Sequence, residues 1–525
     1  MSKQALKRMS RREFVVKVGH FSGASFAALT AMGLMSRSRG EGAPLHNLPR
    51  VTGERAGKVV ILGAGVAGMA AAYELEKLGF SPVILEAAAK AGGRCITLRG
   101  GDEVVETNGY RQQCGFADGQ YFDPGPSRFP HWHITMDYCR ELGVPVAPFV
   151  GMNENAYYLS DRGGALSGRP VRIREAKTDL RGYTAELLAK VVDQGALDQE
   201  LTAEDRERLL AFLRYEGGLS SDLVYGGHSR RGYTTWPGGG TDEGVVGDPH
   251  DRGDLLAAEF GMLFHRANEA MYQTQMYAPV GGMDRISEGF VKKVGHCIQY
   301  ACEVKEIRHA NPGVRIVYEH DGERREETAD YCVCTLPPPI MRRLQTDLSP
   351  QLRNVINVVP FQNSGKIGMQ FNRRFWEEDD RIFGGVSWTT LPNAEIWYPH
   401  YDFFAPKGVV TGYYVFGPTS DRLGRMNPED RLAFAMEHGE KLHPQYRKEF
   451  DNAVSFNWST VPWIEGCLAH FPRAMIRTFY PFLIRPEREF YIASDWASHL
   501  GGWQAGSFES ARLAVKSIHT RATAA

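Results

Sequence analysis

The sharpest hydrophobic pattern in the chain lies between Lys58 and Ala87. An apolar run, Val59 to Leu62, meets glycines at 63, 65 and 68, and alanines follow at 67 and 70 to 72. An unbroken apolar run bounded by glycine predicts a strand buried on both faces, and the small residues predict a helix packed close against it. "SPVILE" predicts a second strand ending in Glu86. Residues 302–309 and 313–337 read as consecutive short strands separated by Asp-Gly and charged turns, a β-meander laid on the parallel sheet. Residues 490–518 give a buried strand, an acid at Asp495, glycines at 501 and 502, and a closing helix. In "NSGKIGMQFNRRFW" (363–376), period-two alternation puts Lys366, Gly368 and Gln370 on one face and Ile367, Met369 and Phe371 on the other. In "GVVTGYYVFGP" (408–418), Tyr413 and Tyr414 point to opposite faces.

At 525 residues the chain exceeds what one core holds, so two or three domains are expected. With 43% hydrophobic and 23% charged residues the composition is that of a globular protein. The net charge of −1 argues against a nucleic-acid partner reached by bulk electrostatics. Eight cysteines without a C-x-x-C pair predict neither a zinc site nor a disulfide scaffold, and Cys332 and Cys334 fit a packed strand. "HWH" at 131 and 133 lacks a third ligand at suitable spacing, so no metal is expected.

Residues 1–40 are set apart. Arg11 and Arg12 precede Phe14 and a weakly apolar Ala/Gly/Ser-rich stretch, the order of a twin-arginine export signal. The alternative is a basic amphipathic helix. A working signal implies export to the periplasm or medium, and its failure a cytoplasmic enzyme. No other segment is long and apolar enough to span a bilayer.

Gly63, Gly65 and Gly68 form G-x-G-x-x-G between strand and helix, with Glu86 ending the next strand. The first glycine allows the turn, the second admits a pyrophosphate, and the third allows close helix packing; the acid meets ribose hydroxyls. Gly92, Gly93 and Arg94 follow directly. A second glycine pair with an arginine is a feature of FAD proteins of the glutathione-reductase type, where a guanidinium offsets diphosphate charge.

The order GAGVAG, Glu86, GGR, GGMD, EV-x-x-I, a strand ending in Leu-Pro, and "SDW…GGW" resembles the flavin amine oxidase superfamily from about residue 57 to 518, most weakly over 150–275. That resemblance implies non-covalent FAD, with Val304 meeting adenine through its backbone, Asp495 facing the ribityl or phosphate region, and Gln504 on the cofactor. It implies that Lys366 holds a water against flavin N5. Within the superfamily the chain is most similar to L-amino acid oxidases, where Arg128 of "GPSRFP" and Tyr414 would bind the substrate carboxylate. Trp503, with Gly502, would flank the amine-bearing carbon, and Trp397 and Tyr398 either add aromatic surface there or pack in the core. His265 stands near a candidate base of some members, and a packed or solvated helix histidine is the preferred reading. Cys467 is not in the cysteine-tyrosine setting of covalently flavinylated monoamine oxidases.

The expected fold is α/β: a Rossmann-like FAD-binding domain (55–125, 278–345, 485–520), a mixed-sheet substrate domain (126–160, 346–484) and a helical insertion (161–277) near the entrance. The expected reaction is oxidative deamination of an L-amino acid, with hydride passing from Cα to flavin N5 and dioxygen accepting the electrons. Holding those atoms ~3–3.5 Å apart is the main protein contribution. Monoamine or polyamine oxidases, amino acid monooxygenases or dehydrogenases, and a noncatalytic flavoprotein are the alternatives. A homo-oligomer is expected.

Overall fold

The computed structural model describes residues 48–52, 56–264 and 275–524. The export-signal segment and His265 lie outside the described residues. A five-stranded parallel sheet has the spatial order Ile298–Gln299, Ser81–Leu85, Lys58–Leu62, Tyr331–Cys334, Phe490–Ile492. Its central strand is buried on both faces, as the unbroken apolar run requires. Val59 and Ile61 point to one side, against Met69 of the helix Val66–Lys77, Phe290 of Asp284–Val294 and Phe508 of Gln504–Ala524. Val60 and Leu62 point to the other, beneath Ile316, with Cys332 and Cys334. Burying one such phenylalanine contributes about 1.5–3 kcal/mol.

The meander forms as expected. Cys302–His309, Val314–His320 and Glu323–Ala329 pair antiparallel, with Asp321 and Gly322 at φ 51° and 80° in the tight turn between the last two. Two successive residues at positive φ match the right-handed strand twist, which explains the Asp-Gly. All eight cysteines are free, and seven of them are buried.

A second, mixed sheet has seven strands in the order Val171–Arg172, Tyr157–Leu159, Val386–Thr389, Glu395–Trp397, Gly408–Phe416, Ser364–Phe371, Phe450–Asn457. Lys366 pairs in register with Tyr414, and Trp397 pairs with Thr411. Two long helices, Ile173–Asp193 and Ala203–Gly217, pack through Ala185, Ala189 and Leu213. The glycine-rich stretch after them forms turns with one β-bridge, Thr235 to Val245. Among the described residues no helix is long and apolar enough to cross a membrane.

A buried ion pair joins distant parts of the chain. The fully buried Arg431, on the helix Pro428–Gly439, gives both terminal nitrogens to Glu106 at 2.6 and 2.7 Å and its Nε to the Leu423 carbonyl at 2.8 Å. Removing one partner leaves an uncompensated buried charge. Arg431→Met is expected to lower unfolding stability by about 3–5 kcal/mol in a urea titration. Adding Glu106→Leu should restore part of that loss, because the two effects are not additive.

Candidate active site

A cavity of about 970 Å³ opens between the two sheets. The described residues singled out from the sequence for cofactor or substrate line it, except Gly68, Lys366, Trp397 and Tyr398. Gly68 has the packing role its place in the motif predicts: a Cβ there would lie 2.1 Å from the Gly63 carbonyl oxygen.

The cofactor side of the wall is built from backbone. Gly63 turns at φ 98°, and a Cβ on Gly65 would project into open space, so the main chain there can be approached closely. Glu86 accepts the backbone N–H of Ala64 at 2.5 Å and of Ala88 at 2.8 Å. Burial pushes its carboxyl above the usual range, with those N–H groups opposing. The ladder between Cys302–His309 and Val314–His320 shifts register between Val304 and Glu306. Such a bulge leaves one residue unpaired, here Lys305, next to Val304 on the cavity wall. Two helices, Val66–Lys77 and Gln504–Ala524, begin at the wall and direct their positive ends toward it. A cradle without Cβ atoms, two helix N-termini and an acid after the second strand fit a dinucleotide bearing a pyrophosphate, as FAD does.

Arg94 is held differently from a free phosphate ligand. Its guanidinium pairs with both oxygens of Asp495 and donates to the Cys467 carbonyl. Burial raises the Asp495 carboxyl, but Arg94, the Gly502 N–H at 2.9 Å and the Ser494 hydroxyl outweigh it and hold it below the usual range. Arg94 and Asp495 therefore present a balanced pair to the cavity. The Cys467 thiol, pushed up to about 11 by burial, stays protonated near neutral pH.

On the substrate side, Arg128 lies over the Trp397 ring at 4.3 Å and near that of Trp503 at 5.8 Å. Trp397 meets Tyr414 edge to face at 5.5 Å, and its indole N–H donates to the buried Glu395 carboxylate at 2.7 Å. Arg128, Tyr414, Trp503 and Gly502 are thus brought together. The alternation around Tyr414 is as read: Tyr413 is buried on the far face against Phe434. Tyr398 takes the core role rather than adding site aromatic surface. As the strand neighbour of Trp397 it points the other way, where its hydroxyl meets His443 at 2.6 Å and Ser387 at 2.7 Å.

Lys366 stands behind the cavity wall. Its ammonium donates to the carbonyls of Asp123 (3.1 Å) and Gly125 (2.6 Å) and to the Ser127 hydroxyl (3.0 Å). Burial and the neighbouring Arg128 charge pull its pKa down, while burial pushes the Asp123 carboxyl up. Asp123 accepts from the Thr97 hydroxyl at 2.6 Å and the Met283 N–H at 3.0 Å, and Trp458 donates its indole N–H to the Pro124 carbonyl at 3.1 Å. Asp123, Gly125, Trp458 and Glu395 escape a reading of the sequence. Asp123, Gly125 and Trp458 act through contacts hundreds of residues apart, with the turn-forming "DPGPS" as a local signal, whereas Glu395 meets Trp397 only two residues away.

The histidines of "HWH" diverge: His131 is exposed and His133 is buried. The His133 ring packs edge to face on Trp503 at 5.1 Å, and neither ring nitrogen has a hydrogen-bond partner. Burial lowers its pKa to about 4. Between pH 6.5 and about 4 the unfolded chain takes up a proton that the folded chain refuses, so this residue costs stability as pH falls. His133→Phe is expected to flatten the acid limb, retaining about 2 kcal/mol more than the parent between pH 7 and pH 4.5. Denaturant midpoints at the two pH values check this.

The chain is 24% identical over 475 residues to an L-amino-acid oxidase of Pseudechis australis, covering 88% of this chain and 86% of that one. It is 24% identical over 486 residues to L-amino acid oxidase Bs29 of Bothriechis schlegelii, covering 88% and 90%. Among solved structures, cyclohexylamine oxidase from Brevibacterium oxydans IH-35A superposes with TM-score 0.60 at 18% identity, over 89% of this chain and 99% of that one. A putrescine oxidase variant gives TM-score 0.60 at 16% identity over the same shares. Residues 66–519 match the sequence profile of the flavin containing amine oxidoreductases, and the chain belongs to that family.

Proposed function

We propose that the protein is an FAD-dependent L-amino acid oxidase, converting an L-amino acid to its 2-oxo acid with release of ammonia and hydrogen peroxide. The observation that carries this reading is Arg128, set over Trp397 and close to Trp503 on the cavity wall beside Tyr414. An indole face stabilises a guanidinium. The planar fork has the geometry for two parallel charge-assisted hydrogen bonds to an α-carboxylate. Lys366, close behind, adds a second positive charge that favours an anion. The Tyr414 hydroxyl is a further donor for the carboxylate, and Trp503 bounds the space for the amine-bearing carbon.

FAD, when bound, supplies a two-electron acceptor that dioxygen reoxidises. The glycine loops, Glu86, Val304 and Gln504 would hold it, without a covalent bond. The residues around it bind, orient and exclude water; no side-chain nucleophile is required. The division into FAD-binding, substrate-binding and entrance regions follows the boundaries read from the sequence. A second reading, oxidation of simple amines, is favoured by the likeness to amine oxidase structures. It gives Arg128 no carboxylate to meet.

The test supplies L-amino acids and simple primary amines in parallel and measures peroxide and oxo acid. Amino acid turnover is expected, and turnover of amines alone would overturn the reading. Arg128→Ala should raise KM for an amino acid roughly a hundredfold, the scale of two charge-assisted hydrogen bonds. Acid precipitation of the holoprotein should release all flavin to the supernatant. Flavin retained on the protein, and lost in Cys467→Ala, would instead identify a thioether at the cavity wall.

A further inference from the structure

We infer that Lys366 is a positioning residue that acts through Arg128, fastening the loop Asp123–Ser127 so that the guanidinium stands fixed above the carboxylate site. The inference rests on the proposed role of Arg128 as carboxylate ligand. An ammonium has three N–H donors, and here all three go to one five-residue loop. Their acceptors are the Asp123 and Gly125 carbonyls and the hydroxyl of Ser127, which directly precedes Arg128. The lysine side chain is itself buried, in the middle of the strand Ser364–Phe371.

Other contacts close the loop from the opposite side. A Cβ on Gly125 would lie 2.1 Å from the Arg94 carbonyl oxygen, so the loop crosses the cofactor-side chain at backbone distance. Trp458 holds the Pro124 carbonyl, and the Asp123 carboxyl is tied to Thr97 and Met283. Pro124 and Pro126 restrict the loop further, lowering the entropy lost when Arg128 is fixed. Lys366 is the member of this set that reaches from the seven-stranded sheet, beneath Tyr414, whose ring centre is 4.5 Å from Nζ. It thereby sets the two carboxylate-facing groups, Arg128 and Tyr414, against one strand.

A role confined to a flavin-side water predicts different consequences. The test uses holoenzyme of the parent, Lys366→Met, Ser127→Ala, Arg128→Ala and the double variant Arg128→Ala/Lys366→Met. Benzoate is titrated as a non-reactive carboxylate, read by flavin absorbance, and reduced flavin is mixed with dioxygen in a stopped-flow instrument. Lys366→Met should weaken benzoate roughly ten- to a hundredfold, and Ser127→Ala roughly threefold. In the Arg128→Ala background the lysine change should alter benzoate affinity by less than about twofold, because the two residues act as one unit. In Ser127→Ala, reoxidation should stay within about twofold of the parent.

Equal effects of the lysine change in both backgrounds would overturn the inference. So would unchanged benzoate affinity with reoxidation slowed about tenfold or more. Hydrogen exchange gives an answer independent of substrate. Loop amides at 123, 125, 127 and 128 should exchange faster in Lys366→Met and Ser127→Ala, while those of Lys58–Leu62 stay unchanged. Unaltered loop exchange would reject the clamp. If Lys366→Met does not fold, Ser127→Ala alone decides, with unchanged benzoate affinity and exchange rejecting it. A parent enzyme that ignores benzoate and amino acids would sink the proposed function, and loop exchange would still decide the clamp.

Discussion

Two backbone segments cross at Gly125 and Arg94 with no room for a side chain between them. That contact sets the geometry of everything near it. Arg94 follows the second glycine loop of the cofactor side, and Gly125 belongs to the loop that ends at Arg128. The crossing therefore fixes the distance from the dinucleotide cradle to the guanidinium at the level of main chain, where motion is least. The neighbouring side chains serve the same end: Asp123 ties the loop to the cofactor side, Trp458 holds the Pro124 carbonyl, and Lys366 ties the loop to the other sheet.

Charge is distributed unevenly along the cavity. Arg94 is balanced by Asp495, so the wall there carries little net charge. Arg128 and Lys366 lie close enough for the guanidinium to pull the lysine pKa down. Bringing two cations together in a poorly solvated place costs stability, and aromatic faces, carbonyl oxygens and the Asp123 carboxyl beside Lys366 offset that cost.

Much of the nucleotide half was legible because local rules and tertiary structure agree there. The run Val59–Leu62, the spacing of Gly63, Gly65 and Gly68, and the Asp321–Gly322 turn each have one sensible conformation. The opposite faces of Tyr413 and Tyr414 followed from strand period alone. Tyr398 takes the core role open to it because its neighbour Trp397 approaches the site, and adjacent residues of an extended segment face opposite sides. The loop contacts of Lys366 were invisible: period two places the lysine on a face but does not name the chain segment opposite. Likewise, no pattern within "ASDW" foretells that Asp495 closes on Arg94.

The parallel sheet is completed by residues far apart in sequence. Its edge strand Phe490–Ile492 and the helix Gln504–Ala524 come more than four hundred residues after Val66–Lys77, yet Phe508 and Met69 share one core. During synthesis on the ribosome, the first glycine loop must wait in an incomplete sheet until that late strand and helix emerge. The cradle for the dinucleotide is therefore complete only once that distant strand and helix have joined the sheet.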